Sequence, residues 1–118
     1  MKHQQRNFLE ILKIELDDLQ EDIETLKEIC EQKLRDGLIT NYVYKENMAL
    51  YENELHAIKT FRQLIKTTNP DQFESLERMI QSLDEQFMTT MKSCGYARAG
   101  HICIKRKILK VANYVQGK

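Results

Sequence analysis

An all-α fold is predicted for this chain: a long antiparallel coiled-coil helical hairpin, a third long helix and a shorter basic C-terminal helix, together forming a dimeric helical bundle. Three observations predict it. Leu9, Leu12, Leu16, Leu19, Ile23, Leu26 and Cys30 recur at alternating steps of three and four residues. A repeat averaging ~3.5 residues, held over about seven turns, specifies left-handed knobs-into-holes packing against another helix. The 118 residues include one Pro, four Gly and no Trp, with Glu, Lys, Leu and Ile abundant, which favours a few long helices over many short strands and turns. The length suits a single domain, residues 1–118, below the size at which hydrophobic cores divide.

The first helix is expected from about Arg6 to Asp36. With Leu9 at heptad position a, Leu16, Ile23 and Cys30 are also a, and Leu12, Leu19 and Leu26 are d; Lys33 breaks the next d. Phe8, Ile11 and Ile14 lie off this seam, so the first turns are apolar on more than one side and need further cover. Gly37 suits the left-handed residue that ends a helix, and Thr40 suits the cap of the next. Ile39 and Tyr44 flank that cap at the spacing of a hydrophobic staple. Tyr44, Met48, Tyr51, Leu55 and Ile58 form the second seam, continued by Phe61, Leu64 and Ile65. Two helices of roughly 40 Å joined by a short turn make residues 1–67 an antiparallel hairpin.

Asn69-Pro70-Asp71-Gln72 starts the third helix, predicted over 69–94, with Asn as cap, Pro in the first helical position and Gln reaching back to the cap. Phe73, Leu76, Ile80, Leu83, Phe87 and Met91 give its seam, widened by Met79 and Met88. Residues 95–118 read as a turn-prone stretch from Gly95 to Gly100, then a basic segment from about His101 to Val115. His101 to Lys105 alternates as a strand would, yet Ile104, Ile108, Val111, Ala112 and Val115 follow a helical face, and the helix is preferred.

The zero net charge conceals a gradient. Residues 1–36 carry 6 Lys/Arg against 10 Asp/Glu, residues 37–91 carry 5 against 8, and residues 92–118 carry 7 against none. Such a distribution suggests internal pairing, an anionic partner, or both. No signal-peptide order opens the chain and no apolar run approaches the ~20 residues that cross a bilayer, so the cytoplasm is the expected compartment and no membrane partner is expected. Three cysteines without an export signal read as reduced thiols.

Few constellations carry chemistry. Cys94, His101 and Cys103 form a Cys-x6-His-x-Cys group, three zinc-type ligands without a tight pair or an obvious fourth unless Cys30, His3 or His56 approaches. Packing is the expected role, and no metal or other cofactor is assigned. Arg98, Lys105, Arg106, Lys107 and Lys110 are the candidate anion- or partner-binding residues, with Gly100 near a helix N-terminus. The competing reading docks this basic helix on the acidic surfaces of the others. Glu52 and His56 stand four residues apart, an ordinary helix-surface pair, and Tyr42, Tyr44 and Tyr51 read as interface aromatics. No glycine-rich phosphate loop, nucleophile elbow or His-Glu-x-x-His pattern is present.

His56-Ala57-Ile58-Lys59 on a helix resembles the His-x-x-Lys-Gly pattern of histidine phosphotransfer domains, with Thr60 where those domains carry glycine. The resemblance is confined to His56 and Lys59. It implies His56 as phosphoryl acceptor and Lys59 as its assistant; the alternative is a flank histidine beside the Leu55–Ile58 seam.

These readings converge on a non-enzymatic interaction protein, an adaptor or regulatory subunit acting through coiled-coil oligomerisation and a basic C-terminal segment. The seam residues would then serve oligomerisation, a homodimer being the expected state and a protein the expected partner. In a parallel pairing of the first helix, Asp22 at g would face Lys27 at e of the other copy. A nucleic-acid-binding accessory protein and a histidine phosphotransfer protein are the alternatives.

Overall fold

A run of 34 residues without Gly or Pro, Lys2–Arg35, forms helix α1. The computed structural model describes residues 2–94 and 98–117, with side chains for residues 3–92 and 101–117. Gly37 ends the helix as its sequence suggests. At φ +73° it donates its N–H to the Leu34 carbonyl (3.1 Å), while the Leu38 N–H reaches the Lys33 carbonyl (2.9 Å). These paired bonds satisfy carbonyls that the last helical turn leaves open. A Cβ at Gly37 would touch nothing within 4 Å, so Gly37→Ala is expected to cost only the backbone penalty of a left-handed alanine, about 1 kcal/mol in urea denaturation.

Thr40 then caps α2 (Asn41–Thr67), its hydroxyl accepting from the Val43 N–H at 3.2 Å. Arg62 on α2 contacts Asp17 at 2.6 Å and also Gln20, whereas Asn47 lies near the Cys30 sulfur. Residues later in α2 thus meet residues earlier in α1, and the two helices run in opposite directions. The staple residues Ile39 and Tyr44 are both half-buried.

The third helix differs from its predicted span of 69–94. Asn69 does cap, accepting from the Asp71 N–H at 3.0 Å, but only a 3-10 turn, Pro70–Gln72, follows. α3 begins at Leu76 and runs to Cys94, with the Ser75 hydroxyl accepting from the Arg78 N–H at 3.2 Å. Two physical causes divide the segment. Ser75 offers a second cap, and Gln5 of α1 donates to the carbonyls of Pro70 (2.8 Å) and Phe73 (2.9 Å), which ties the 3-10 turn and the extended Phe73 backbone to α1. Gln72 is exposed and donates its own N–H to the Asn69 carbonyl.

α4, Arg98–Val115, is helical through residues 101–105 as well, and begins earlier than His101. Lys107 and Lys110 meet Glu15, and Gln4 donates to the Val115 carbonyl, so α4 runs antiparallel to α1. Four helices, and no strands among the described residues, enclose one core. Leu9, Leu12, Leu16 and Ile23 of α1 join Ala57, Ile58, Phe61 and Ile65 of α2 there. Leu76, Met79, Leu83, Phe87 and Met91 of α3 and Ile104, Ile108, Val111 and Ala112 of α4 complete it. The Phe61 and Phe87 rings meet edge to face, centroids 5.1 Å apart, a preferred aromatic geometry. Phe8 is fully buried and Ile11 half-buried, while Ile14 is left exposed. No described helix is long and apolar enough to cross a membrane.

Candidate interaction surface

α1 and α2 outrun the helices packed on them. α4 starts at Arg98, a little over two turns before Lys107, which places its start about level with Glu24 of α1. α3 ends at Cys94, two turns beyond the Phe87 ring that lies on Phe61. Beyond those ends, the last part of α1 and the first part of α2 continue as a two-helix arm roughly 15 Å long. This long axis gives the molecule its extents of 55 × 30 × 21 Å.

The seam residues divide along this axis. Leu9, Leu12, Leu16, Ile23 and Ile58 are buried within one chain; Leu19, Tyr44, Met48, Tyr51 and Leu55 are half-buried. Cys30 is buried between the helices of the arm, but Leu26 is exposed. It has company: Ile29, Leu38, Tyr42, Val43 and Leu50 also belong to the arm and its turn, and these six side chains are 39% to 73% exposed. Their placement follows from helical periodicity. Leu26 continues the Leu12–Leu19 line, and Ile29 stands two heptads after Glu15, which faces α4. Leu50 stands one turn before Glu54, whose charge acts on Cys103 of α4. The face covered by other helices in the body therefore continues uncovered on the arm. Of the six, only Leu26 of the first seam and Tyr42 among the interface aromatics were marked in the sequence. Ile29, Val43 and Leu50 lie off the chosen seam, although Val43, Leu50 and Ala57 share a seven-residue spacing that points to a second apolar stripe.

The basic end is partly occupied. Glu15 accepts from Lys110 at 2.9 Å and from Lys107 at 3.3 Å, and its side chain is only 20% exposed. The Lys110 hydrogen bond first, and Lys107 after it, hold the Glu15 carboxyl below the ordinary carboxylate range against an opposing effect of burial. A depressed folded-state pKa contributes stability above the unfolded pKa, and that contribution is lost as pH falls through the folded value. Glu15→Gln is accordingly expected to cost about 1 kcal/mol at neutral pH, and its denaturation midpoint should converge on that of the parent chain below about pH 4. Lys105 and Arg106 are exposed on α4, with Ile102 and Leu109 exposed beside them. The Arg98 side chain lies outside the described residues.

His101 contacts Asp84 at 3.3 Å, and its ring lies 5.7 Å from that of Phe87. Cys103 is half-buried; burial first, then the Glu54 charge, pushes its thiol up, which disfavours a nucleophilic thiolate. Burial likewise raises the Glu54 carboxyl. The side chain of Cys94 lies outside the described residues, and among those described no three His, Cys, Asp or Glu side chains gather closely enough to hold a metal ion. His56 is exposed and lines an open recess with Lys27, Glu52, Leu55 and Lys59. Lysines from both helices thus stand near it, with the Glu52 carboxylate among them. Comparisons of the chain with known protein families, with curated proteins and with solved structures find no match.

Proposed function

We propose that this chain is a non-enzymatic helical interaction protein, an adaptor or regulatory subunit that works in the cytoplasm through coiled-coil oligomerisation and presents its basic C-terminal segment to a partner. The observation that carries the reading is the row of apolar side chains left exposed on the arm, Leu26, Ile29, Val43 and Leu50. Single exposed apolar residues are ordinary, but a contiguous set that extends a core face marks a surface that associates. The exposed cations Lys105 and Arg106 add a second, polar element to such a surface.

Sedimentation equilibrium at low and moderate salt, with the A260/A280 ratio recorded beforehand, tests the reading. A nucleic-acid-free dimer is the expected result. A monomer carrying nucleic acid that salt removes would overturn it in favour of a polyanion-binding bundle, because neutralised phosphates give a steep salt dependence. A monomer free of nucleic acid would overturn the oligomerisation reading outright.

A further inference from the structure

We infer that the partner of the arm is the outer face of α4 in a second copy of this chain, the two copies being related by a two-fold axis so that each arm lies on the other's α4. The inference rests on the oligomerisation reading above and specifies its surface.

Shape supports it first. α3 and α4 form a short layer on the longer pair of α1 and α2, which leaves a step at the arm. Inverting a second copy sets its short layer into that step, and the same operation sets the first copy's short layer into the second's. A two-fold contact of this kind closes on itself and exposes no unused half.

Chemistry supports it second. At the foot of the arm, beside the start of α4, exposed Asp22 lies one turn from Leu26 and two turns from Ile29, and on the arm exposed Glu46 lies between Val43 and Leu50. Residues 17–31 of α1 contain seven acids and one base, Lys27. On α4, Ile102, Lys105, Arg106 and Leu109 have the i, i+3, i+4, i+7 spacing of one helix face, and all four are exposed. One surface is apolar with an acidic fringe and the other is apolar with a basic fringe. Arm against arm would instead oppose Asp22 and Glu46 with the same acids, which disfavours pairing.

Area does not separate the two arrangements. The outer face of α4 is one helix, roughly 10 Å wide, so a contact roughly 15 Å long buries on the order of 150 Å² on each side. The reciprocal arrangement makes that contact twice and buries about 600 Å², as much as two arms laid face to face, so closure and charge decide between them.

Charge reversal on the intact chain tests this. The variants Lys105→Glu/Arg106→Glu and Asp22→Lys/Glu46→Lys change only exposed side chains, and circular dichroism should show the parent helix content for both. Sedimentation equilibrium should show each variant dimerising about ten-fold or more weakly than the parent. Mixed in equal amounts, the two should form a heterodimer, since both contacts then join opposite charges. A parent dimer unaffected by either reversal, or weakened variants that fail to pair on mixing, would overturn the assigned surface and leave oligomerisation standing. A monomeric parent would overturn both.

Discussion

Phe87→Ala is expected to lower the unfolding free energy by about 3–5 kcal/mol, measured by urea denaturation followed at the helical circular dichroism band. The ring is fully buried and touches Phe61 edge to face and His101 on another side. Through it α3 is joined to α2 and to α4. Truncation removes the transfer free energy of the ring, its aromatic contact and the support of the His101–Asp84 pair, and leaves a cavity that three helices must close around. Since a domain of this size is stable by about 5–15 kcal/mol in total, the variant should be partly unfolded near physiological temperature. Met88→Ala, one residue away but exposed, should fall within about 0.5 kcal/mol of the parent. Equal effects for the two variants would show that the assigned face of α3 is wrong.

Gln5→Leu is expected to cost about 2 kcal/mol and to loosen one connection selectively. Gln5 is 1% exposed, and its amide nitrogen holds the carbonyls of Pro70 and Phe73. Leucine is close in volume, so little of the loss arises from packing. Two carbonyls lose the Gln5 donor, the Pro70 carbonyl keeping the long 3.4 Å bond from the Phe73 N–H, and weakening buried hydrogen bonds in this way costs about 1–3 kcal/mol. The buried Oε1 of Gln5 accepts no hydrogen bond from a described residue, and removing it returns part of that penalty. Hydrogen exchange should locate the change: amides of residues 71–79 should exchange faster, while those of the α1–α2 arm keep their protection. Uniform acceleration across the chain would mean that Gln5 supports the core as a whole and not this connection.

The sequence is informative where one periodicity governs one helix. Leu9, Leu16, Ile23 and Cys30 are buried as an unbroken a line, because the Lys2–Arg35 helix has a partner along its whole length. The d line fails progressively, from buried Leu12 through half-buried Leu19 to exposed Leu26. Periodicity identifies a face but contains no information on how far the covering helices extend. The division at Phe73–Ser75 was hidden for a related reason. Asn69-Pro70 is a strong local start signal, yet the outcome depends on Gln5, 65 residues away from Pro70. At the basic end, the row of Lys and Arg was plain in the sequence, whereas the capture of Lys107 and Lys110 by a single glutamate was not, since Glu15 is one acid among ten in residues 1–36. His56 and Lys59 are placed together near the arm's base as their spacing requires, which any helix would do.

Neither α1 nor α2 contains Gly or Pro, so the arm has no built-in hinge, since sharp kinks in helices arise almost always at such residues or at bulges. A surface carried on two continuous helices is already ordered before anything binds to it. Backbone ordering, which a disordered recognition segment undergoes only at the moment of binding, has been completed here by folding of the body. A small interface can then hold, because little of its favourable free energy is offset by lost conformational freedom. The long uninterrupted helices thus set the entropy of association as well as the shape of the molecule.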